Sequence, residues 1–327
     1  MKGNSISSLE ICAGAGGQAL GLEQAGFDHA ALVEIDRHCC NTLRFNRPGW
    51  RVFESDIHDF AARAAGAFKG VELLAGGLPC PPFSLAGKQL GDQDERNLFP
   101  VALDLVDIIR PRAVMIENVR GFLATVFEDF RHEIKARFEK MGYRADWRLL
   151  NASDFGVPQL RPRVVIVALR KDIAPSFSWP VKNGAKPQTV GEALYDLIAA
   201  NGWKRAGAWK NGANAIAPTI VGGSLKHGGP DLGPTRARKA WATLGVDGLG
   251  IANAPPECDF EGMPRLTVPM VARLQGFPDN WQFFGRKTPA YRQVGNAFPP
   301  PVARAVGERL HDCLSTAHSL STSRRAG

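Results

Sequence analysis

A chain of 327 residues can bury a full core and has room for two domains, and 44% hydrophobic with 22% charged residues is ordinary globular composition. The formal net charge of +8 favours a polyanionic partner, because lysine and arginine gain by displacing phosphate counterions. No stretch approaches the ~20 apolar residues that cross a bilayer, the first ten residues lack the apolar run of a signal peptide, and the cytoplasm is the expected compartment.

Short apolar runs alternate with helical patterns through the first half, which predicts a largely parallel sheet flanked by helices. Ser7–Cys12 reads as a strand, Gly14–Gly17 as a turn and Gln18–Ala25 as a helix. A second strand, Ala30–Ile35, ends in the acids Glu34 and Asp36. Leu73-Leu74-Ala75 is a short strand feeding a Gly/Pro-rich loop from Gly76 to Gly91. Leu98–Ile109 has helical periodicity, and Pro111 marks its end. Ala113–Ile116 and Val164–Leu169 read as buried strands, the first followed by Glu117-Asn118. In open sheets of this kind ligands sit beyond the carboxyl ends of the strands.

The texture changes after Val181. From Trp203 to Lys239 the chain carries seven Lys/Arg (Lys204, Arg205, Lys210, Lys226, Arg236, Arg238, Lys239) against one acid, Asp231, with seven glycines. That pattern predicts a loop-rich module that places cations near backbone phosphates. Helical patterns return at Val268–Gln275 and Val302–Leu314, and the tail after Ser315 is small, polar and basic.

Two segments carry chemistry. Strand, glycine turn and helix over Ser7–Ala25 form a nucleotide-cradling unit, with Glu34 on the next strand placed to hold ribose hydroxyls. By itself this unit fits a dinucleotide as well as a methyl donor. The stronger signal is Gly76-Gly77-Leu78-Pro79-Cys80-Pro81-Pro82-Phe83-Ser84, where three prolines stiffen a loop around one thiol at a strand end. A loop so constrained presents its cysteine, and thiolates are strong nucleophiles. The other five cysteines, Cys12, Cys39, Cys40, Cys258 and Cys313, form no CxxC pair and no zinc spacing, so no metal is expected.

Pro79-Cys80-Pro81-Pro82-Phe83-Ser84 closely resembles the catalytic loop of DNA cytosine-5 methyltransferases of the bacterial restriction-modification type, and further matches follow in family order along almost the whole chain. Ala13-Gly14-Ala15-Gly16-Gly17 resembles the methyl-donor loop, and Glu117-Asn118-Val119 the acidic strand end. Gln159-Leu160-Arg161-Pro162-Arg163 resembles the glutamine-arginine motif. Arg265-Leu266-Thr267 with Leu274-Gln275-Gly276-Phe277-Pro278 resembles the segment that organises target recognition, and Tyr291 to Ala303 the closing motif.

The resemblance implies an α/β fold of the S-adenosylmethionine-dependent, Rossmann-like type, with residues 1–181 and 286–327 forming the catalytic domain. A small loop-rich target-recognition domain, 182–285, is inserted between them. It implies S-adenosylmethionine as methyl donor, S-adenosylhomocysteine as product, and Cys80 as the nucleophile that adds to carbon 6 of a flipped cytosine. Glu117 would hold the ring edge at nitrogen 3, Arg163 and Arg161 the base carbonyl, and Asn118 would brace the cysteine loop. The donor would be held by Cys12, Ala13, Gly14, Gly16, Gly17, Glu34, Ile35, Asp56, Ile57, Pro79, Leu98 and Asn296. Double-stranded DNA would be met by Ser84, Lys88, Arg96, Thr219, Lys226, Arg236 and Arg238; Pro218-Thr219-Ile220 resembles the Thr-plus-aliphatic pair of recognition regions. The chain departs from the family pattern at Cys12 and Ile35, where aromatics are usual, at Pro81, where glutamine is common, and at Val268-Pro269-Met270. The family setting implies a monomer in the cytoplasm, associated with the nucleoid through DNA and accompanied by a separately acting restriction endonuclease. The alternatives are a transfer-RNA cytosine-5 methyltransferase, a catalytically silent DNA-reading module, and a nicotinamide-dependent dehydrogenase suggested by the glycine turn alone.

Overall fold

A computed structural model describes residues 6–79, 97–182, 184, 186–223 and 229–323. Seven strands form one sheet: β1 (Ile6–Ile11), β2 (Phe27–Glu34), β3 (Val52–Glu54), β4 (Leu73–Gly77), β5 (Ala113–Val119), β6 (Tyr143–Asn151) and β7 (Pro162–Arg170). Their order across the sheet is β3-β2-β1-β4-β5-β7-β6. The first five are parallel, and β7 runs antiparallel to both β5 and β6. The predicted α/β class holds.

Alternation along the strands assigns the two faces. Leu9, Ile11, Val33, Leu74, Val114, Ile116, Val164 and Ile166 point to one side and pack on α3 (Ile57–Arg63), α4 (Phe99–Ile109) and α5 (Glu128–Lys140). Ile6, Ala75, Met115, Val165 and Val167 point to the other, against α1 (Gly17–Gln24) and α11 (Pro300–Ser323). Strands covered on both faces read as continuous apolar runs, which is why β4, β5 and β7 were visible in the sequence.

Several elements were not foreseen. Between β2 and β3 lies α2 (Arg37–Asn46), whose N-cap Asp36 accepts hydrogen bonds from the backbone of His38 and Cys39. Asp56 caps α3 in the same way. Strand and helix are joined in each case by two residues, Ile35-Asp36 and Ser55-Asp56, the second of which is the cap, and no Gly or Pro marks the change. The stretch read as loop-rich contains α6 (Val190–Ile198), α7 (Ala206–Gly212) and α8 (Thr235–Ala242), followed by α9 (Val268–Leu274) and α10 (Lys287–Asn296). These helices share a second core built on Trp203, Trp209, Trp241, Leu266, Met270 and Trp281, and Leu20 of α1 enters it. α7 and α8 are short and glycine-flanked, so their helical period is too brief to register as a pattern. The first part of the closing motif is itself α10, ending at Asn296.

Candidate active site

Parallel pairing aligns the carboxyl ends of β1, β2, β4 and β5 along one edge of the sheet. Ile11 pairs with Gly76 and Gly77 with Glu117, so the glycine turn after β1, the end of β4 and the acid of β5 are neighbours. The chain leaves β1 on opposite sides toward β2 and β4, and such a switch in strand order is where open α/β sheets bind ligands.

The turn is shaped by steric need. Gly14 and Gly16 have φ of 54° and 85°, in the left-handed region that favours glycine. A Cβ on Gly17 would stand 2.2 Å from the Phe298 carbonyl oxygen, and one on Gly16 would meet Leu43 at 2.7 Å and Trp281 at 3.0 Å. A Cβ on Gly14 would meet nothing within 4 Å, so backbone is open on that side. The Trp281 indole donates to the Ala15 carbonyl at 3.2 Å and braces the turn from the second core. The sequence gave no functional sign of Trp281, because its partner is 266 positions away. Cys12, also at positive φ, opens the turn, and Ala13 is buried behind it.

Glu34 is buried at the end of β2, and its carboxylate accepts from the backbone of Gly14 at 2.7 Å, Asp36 at 2.8 Å and Ile35 at 2.9 Å. A carboxylate offers about four lone-pair sites, so acceptor capacity remains for a hydroxyl. Burial raises its pKa, against the lowering effect of these amides. Beside it Ile35 is 65% exposed, an apolar seat at the ligand edge. Asp56 is half-buried at the end of the neighbouring strand, with Ile57 buried beneath it. Open glycine backbone, a buried acid with spare capacity and an exposed aliphatic in one row fit a nucleoside-bearing donor. Pro79 and Leu98 are half-buried on either side of the undescribed segment. Asn296 turns its amide elsewhere and donates to Gly223 O at 3.2 Å.

The charged centre is a pair. Arg163 Nε meets Glu117 Oε1 at 2.8 Å, with 13% and 6% of the two side chains exposed. The register explains the pairing: Val119 lies opposite Arg163 and Glu117 opposite Val165, so the two side chains are diagonal neighbours on one face. Because β7 is antiparallel, its amino end lies at the carboxyl edge of the parallel strands, and so an arginine at a strand start meets an acid near a strand finish. Burial pushes the Glu117 carboxyl upward, opposed by Arg163 and then Arg161. A Cβ on Gly77 would lie 3.5 Å from Glu117 Oε2 and 3.9 Å from the Cys12 carbonyl oxygen, so Gly77 separates the acid from the glycine turn by one residue without a side chain. Asn118 is fully buried; its Oδ1 accepts from the Val119 backbone, while Nδ2 has no partner among the described residues.

Arg161 requires a correction. It was expected to share the base carbonyl with Arg163, yet it is completely buried and donates to the main-chain carbonyls of Ile220 at 2.7 Å, Gly295 at 2.8 Å and Ala297 at 2.9 Å. A buried guanidinium has to be met by acceptors, and backbone of this chain supplies them. Cys80, Ser84, Lys88, Arg96 and Lys226 lie outside the described residues. Thr219 is half-exposed, with its hydroxyl donating to Leu160 O; Arg236 is exposed and Arg238 half-exposed on α8. The basic window is less cationic than it reads, because Lys204 pairs with Asp259 and Arg205 with Glu261 at 2.9 Å.

Sheet order, glycine turn, the buried acid Glu34 and the buried Glu117–Arg163 pair fit a methyltransferase of the Rossmann-like class. The family model for C-5 cytosine-specific DNA methylase matches residues 6–312. The chain is 57% identical over 314 residues to the Type II methyltransferase M.NaeI of Lentzea aerocolonigenes, covering 95% of this chain and 76% of that protein. It is 53% identical to the Type II methyltransferase M.NgoMIV of Neisseria gonorrhoeae, covering 94% and 98%. Among solved structures, Spodoptera frugiperda DNMT2 shares the fold, with a TM-score of 0.64 at 19% identity over 94% of this chain and 100% of that one. The chain belongs to the C-5 cytosine-specific DNA methylase family and is a DNA cytosine-5 methyltransferase.

Proposed function

We propose that the chain methylates carbon 5 of a cytosine flipped out of a specific duplex sequence, using Cys80 as nucleophile and the Glu117–Arg163 pair to hold the ring. The observation that carries this reading is that buried pair, set one residue from the glycine turn at the end of the same sheet edge. S-adenosylmethionine, held by Gly14, Glu34, Ile35, Asp56 and the rest of the glycine turn, supplies an electrophilic methyl group.

Carbon 5 of cytosine is a weak nucleophile. Addition of the Cys80 thiolate to carbon 6 breaks the 5,6 double bond and places its electron pair at carbon 5, while protonated Glu117 donates to nitrogen 3 and spreads the developing charge. Arg163 donates toward the base carbonyl and fixes the ring plane. Carbon 5 takes the methyl group; removal of its proton restores the double bond and expels the Cys80 thiolate. In this reading Asn118, whose Nδ2 is buried and has no partner among the described residues, braces the segment after Pro79. The cysteines near the sheet edge give little competition: burial first, then acids led by Glu34, raises the thiol pKa of Cys12, Cys39 and Cys40, that of Cys40 to about 12.

Flipping costs a few kcal/mol of unstacking. Residues 182–285 form the target-recognition domain in this reading, with Thr219, Lys226, Arg236 and Arg238 facing DNA. Ser84, Lys88 and Arg96 belong to the segment that meets the flipped strand. The Type II names of the relatives support a restriction-modification role beside a separate endonuclease. Among the described residues no helix is long and apolar enough to cross a membrane, and we place the protein in the cytoplasm.

Covalent capture tests the assignment. On duplex DNA carrying 5-fluorocytosine, the wild-type chain with donor forms a denaturation-resistant adduct, and Cys80→Ala forms none. An undiminished adduct with Cys80→Ala refutes the assigned nucleophile.

A further inference from the structure

The segment after the Gln159↔Ala217 bridge, residues 218–223, has no regular secondary structure, so ladder or helix hydrogen bonds do not fix its position. The four residues before β7, Pro158 to Arg161, do so instead, together with Tyr291. Ala217 N donates to Pro158 O at 3.0 Å, and Leu160 N to Ala217 O at 2.8 Å. Ile220 N donates to Gln159 Oε1 at 2.9 Å, and Arg161 returns a bond to Ile220 O at 2.7 Å. Thr219 Oγ1 donates to Leu160 O, and Tyr291 OH to Val221 O at 3.0 Å. The same Arg161 holds Gly295 and Ala297, and Gln159 Nε2 donates to Leu274 O at 3.1 Å. From this anchored stretch Val221 emerges 45% exposed and Thr219 half-exposed. Two residues beyond Arg161, at the start of β7, Arg163 grips Glu117.

We propose that Arg161 is a positioning residue that sets sequence specificity: it locks the Pro218-Thr219-Ile220-Val221 segment in register with the Glu117–Arg163 pair, so that only DNA fitting the segment delivers its cytosine to that pair. The inference rests on the reading of Thr219 as a DNA-facing residue. A planar guanidinium can serve carbonyls from separate segments at fixed angles; an ammonium on a flexible stem cannot hold the same geometry. Loosening the lock lets the segment shift by fractions of an ångström relative to the chemistry. Discrimination suffers more than turnover on the preferred site, because mismatched DNA is rejected by the failure of the segment to yield.

The test is a library of duplexes with a randomised centre, incubated with full-length protein and donor and read by bisulfite conversion. Wild type defines the preferred site. Arg161→Lys is expected to raise methylation at single-mismatch sites relative to that site by on the order of tenfold, the worth of a charge-assisted hydrogen bond. Tyr291→Phe removes the bond to Val221 without altering shape and is expected to shift the same ratio in the same direction, by less. If Arg161→Lys does not fold, Tyr291→Phe decides. Folded variants that keep the wild-type ratio, whatever their rate, overturn the inference and leave the proposed function standing. Absence of site-selective cytosine conversion by wild type would overturn both.

Discussion

Two arginines stand two residues apart at the start of β7 and have opposite surroundings. Arg163 faces an acid at the ligand edge, partly open and matched one to one, whereas Arg161 is sealed in and spent on main-chain carbonyls from the Ile220 segment and the closing motif. The contrast extends to the regions they serve. At the sheet edge, polar groups from distant strands converge because pairing registers bring them there. In the helical region after β7, cations are met by acids of the same region, and the cohesion is a tryptophan-rich core. The Glu117–Arg163 geometry is therefore set by strand register, and the surface of the helical region by short helices and side-chain-to-backbone ties.

The largest expected effect lies at the sheet edge. Glu117→Gln keeps the shape but removes the donated proton, and kcat should fall by roughly 10²–10⁴, with DNA affinity largely kept; an equal collapse in affinity would make Glu117 structural. The pH dependence carries a sign. Burial raises the Glu117 pKa, so the folded protein retains this proton where a free glutamate has lost it. Its stabilising contribution is complete below the unfolded-state pKa and is lost as pH rises through the folded-state value. Turnover that needs protonated Glu117 declines over that same alkaline limb, and Glu117→Gln should flatten it. A wild-type profile that rises there would reverse the assignment.

The helical region predicts a loss of stability instead. Trp241 is completely buried in the second core, and Trp241→Ala should cost about 3–5 kcal/mol. Chemical denaturation would show this, and DNA binding should weaken before donor binding if the second core supports recognition more than catalysis. Equal loss of both would mean that the two regions unfold as one, a real prospect given that Leu20 and Trp281 tie the second core to the donor turn.

How far the sequence could be read follows the same division. The glycine turn and the acid Glu117 were legible because each is local, and β4, β5 and β7 because two-sided burial makes them apolar, whereas the edge strands β3 and β6 went unread. Arg163 was legible as a motif but not as a partner of Glu117, since that depends on β7 running against β5. Arg161 was misassigned because the motif gives both arginines equal standing, and only the fold reveals that the carbonyls of Ile220, Gly295 and Ala297 surround one of them. Trp281 was missed altogether. The helices α6, α7 and α8 were read as part of a loop-rich stretch because Gly and short length hide their period, and the cationic count was inflated because Asp259 and Glu261 lie beyond the window yet fold back onto it.

That last error yields the smallest and sharpest prediction. DNA affinity falls with salt in proportion to the phosphates neutralised, at about 0.9 units of log–log slope per contact. Arg236 is exposed on α8 and has no ion-pair partner among the described residues, whereas Arg205 is already matched by Glu261. Arg236→Gln should flatten the slope by about one unit, and Arg205→Gln should leave it unchanged. A cation engaged by a neighbouring carboxylate neutralises no phosphate and so releases no counterion from the DNA; local neutralisation, rather than composition, decides which arginines see the phosphate backbone. Titrations with one duplex at several salt concentrations distinguish them. Equal flattening by both variants would show that the Glu261 pair opens on DNA, and the whole basic stretch would then return to the interface.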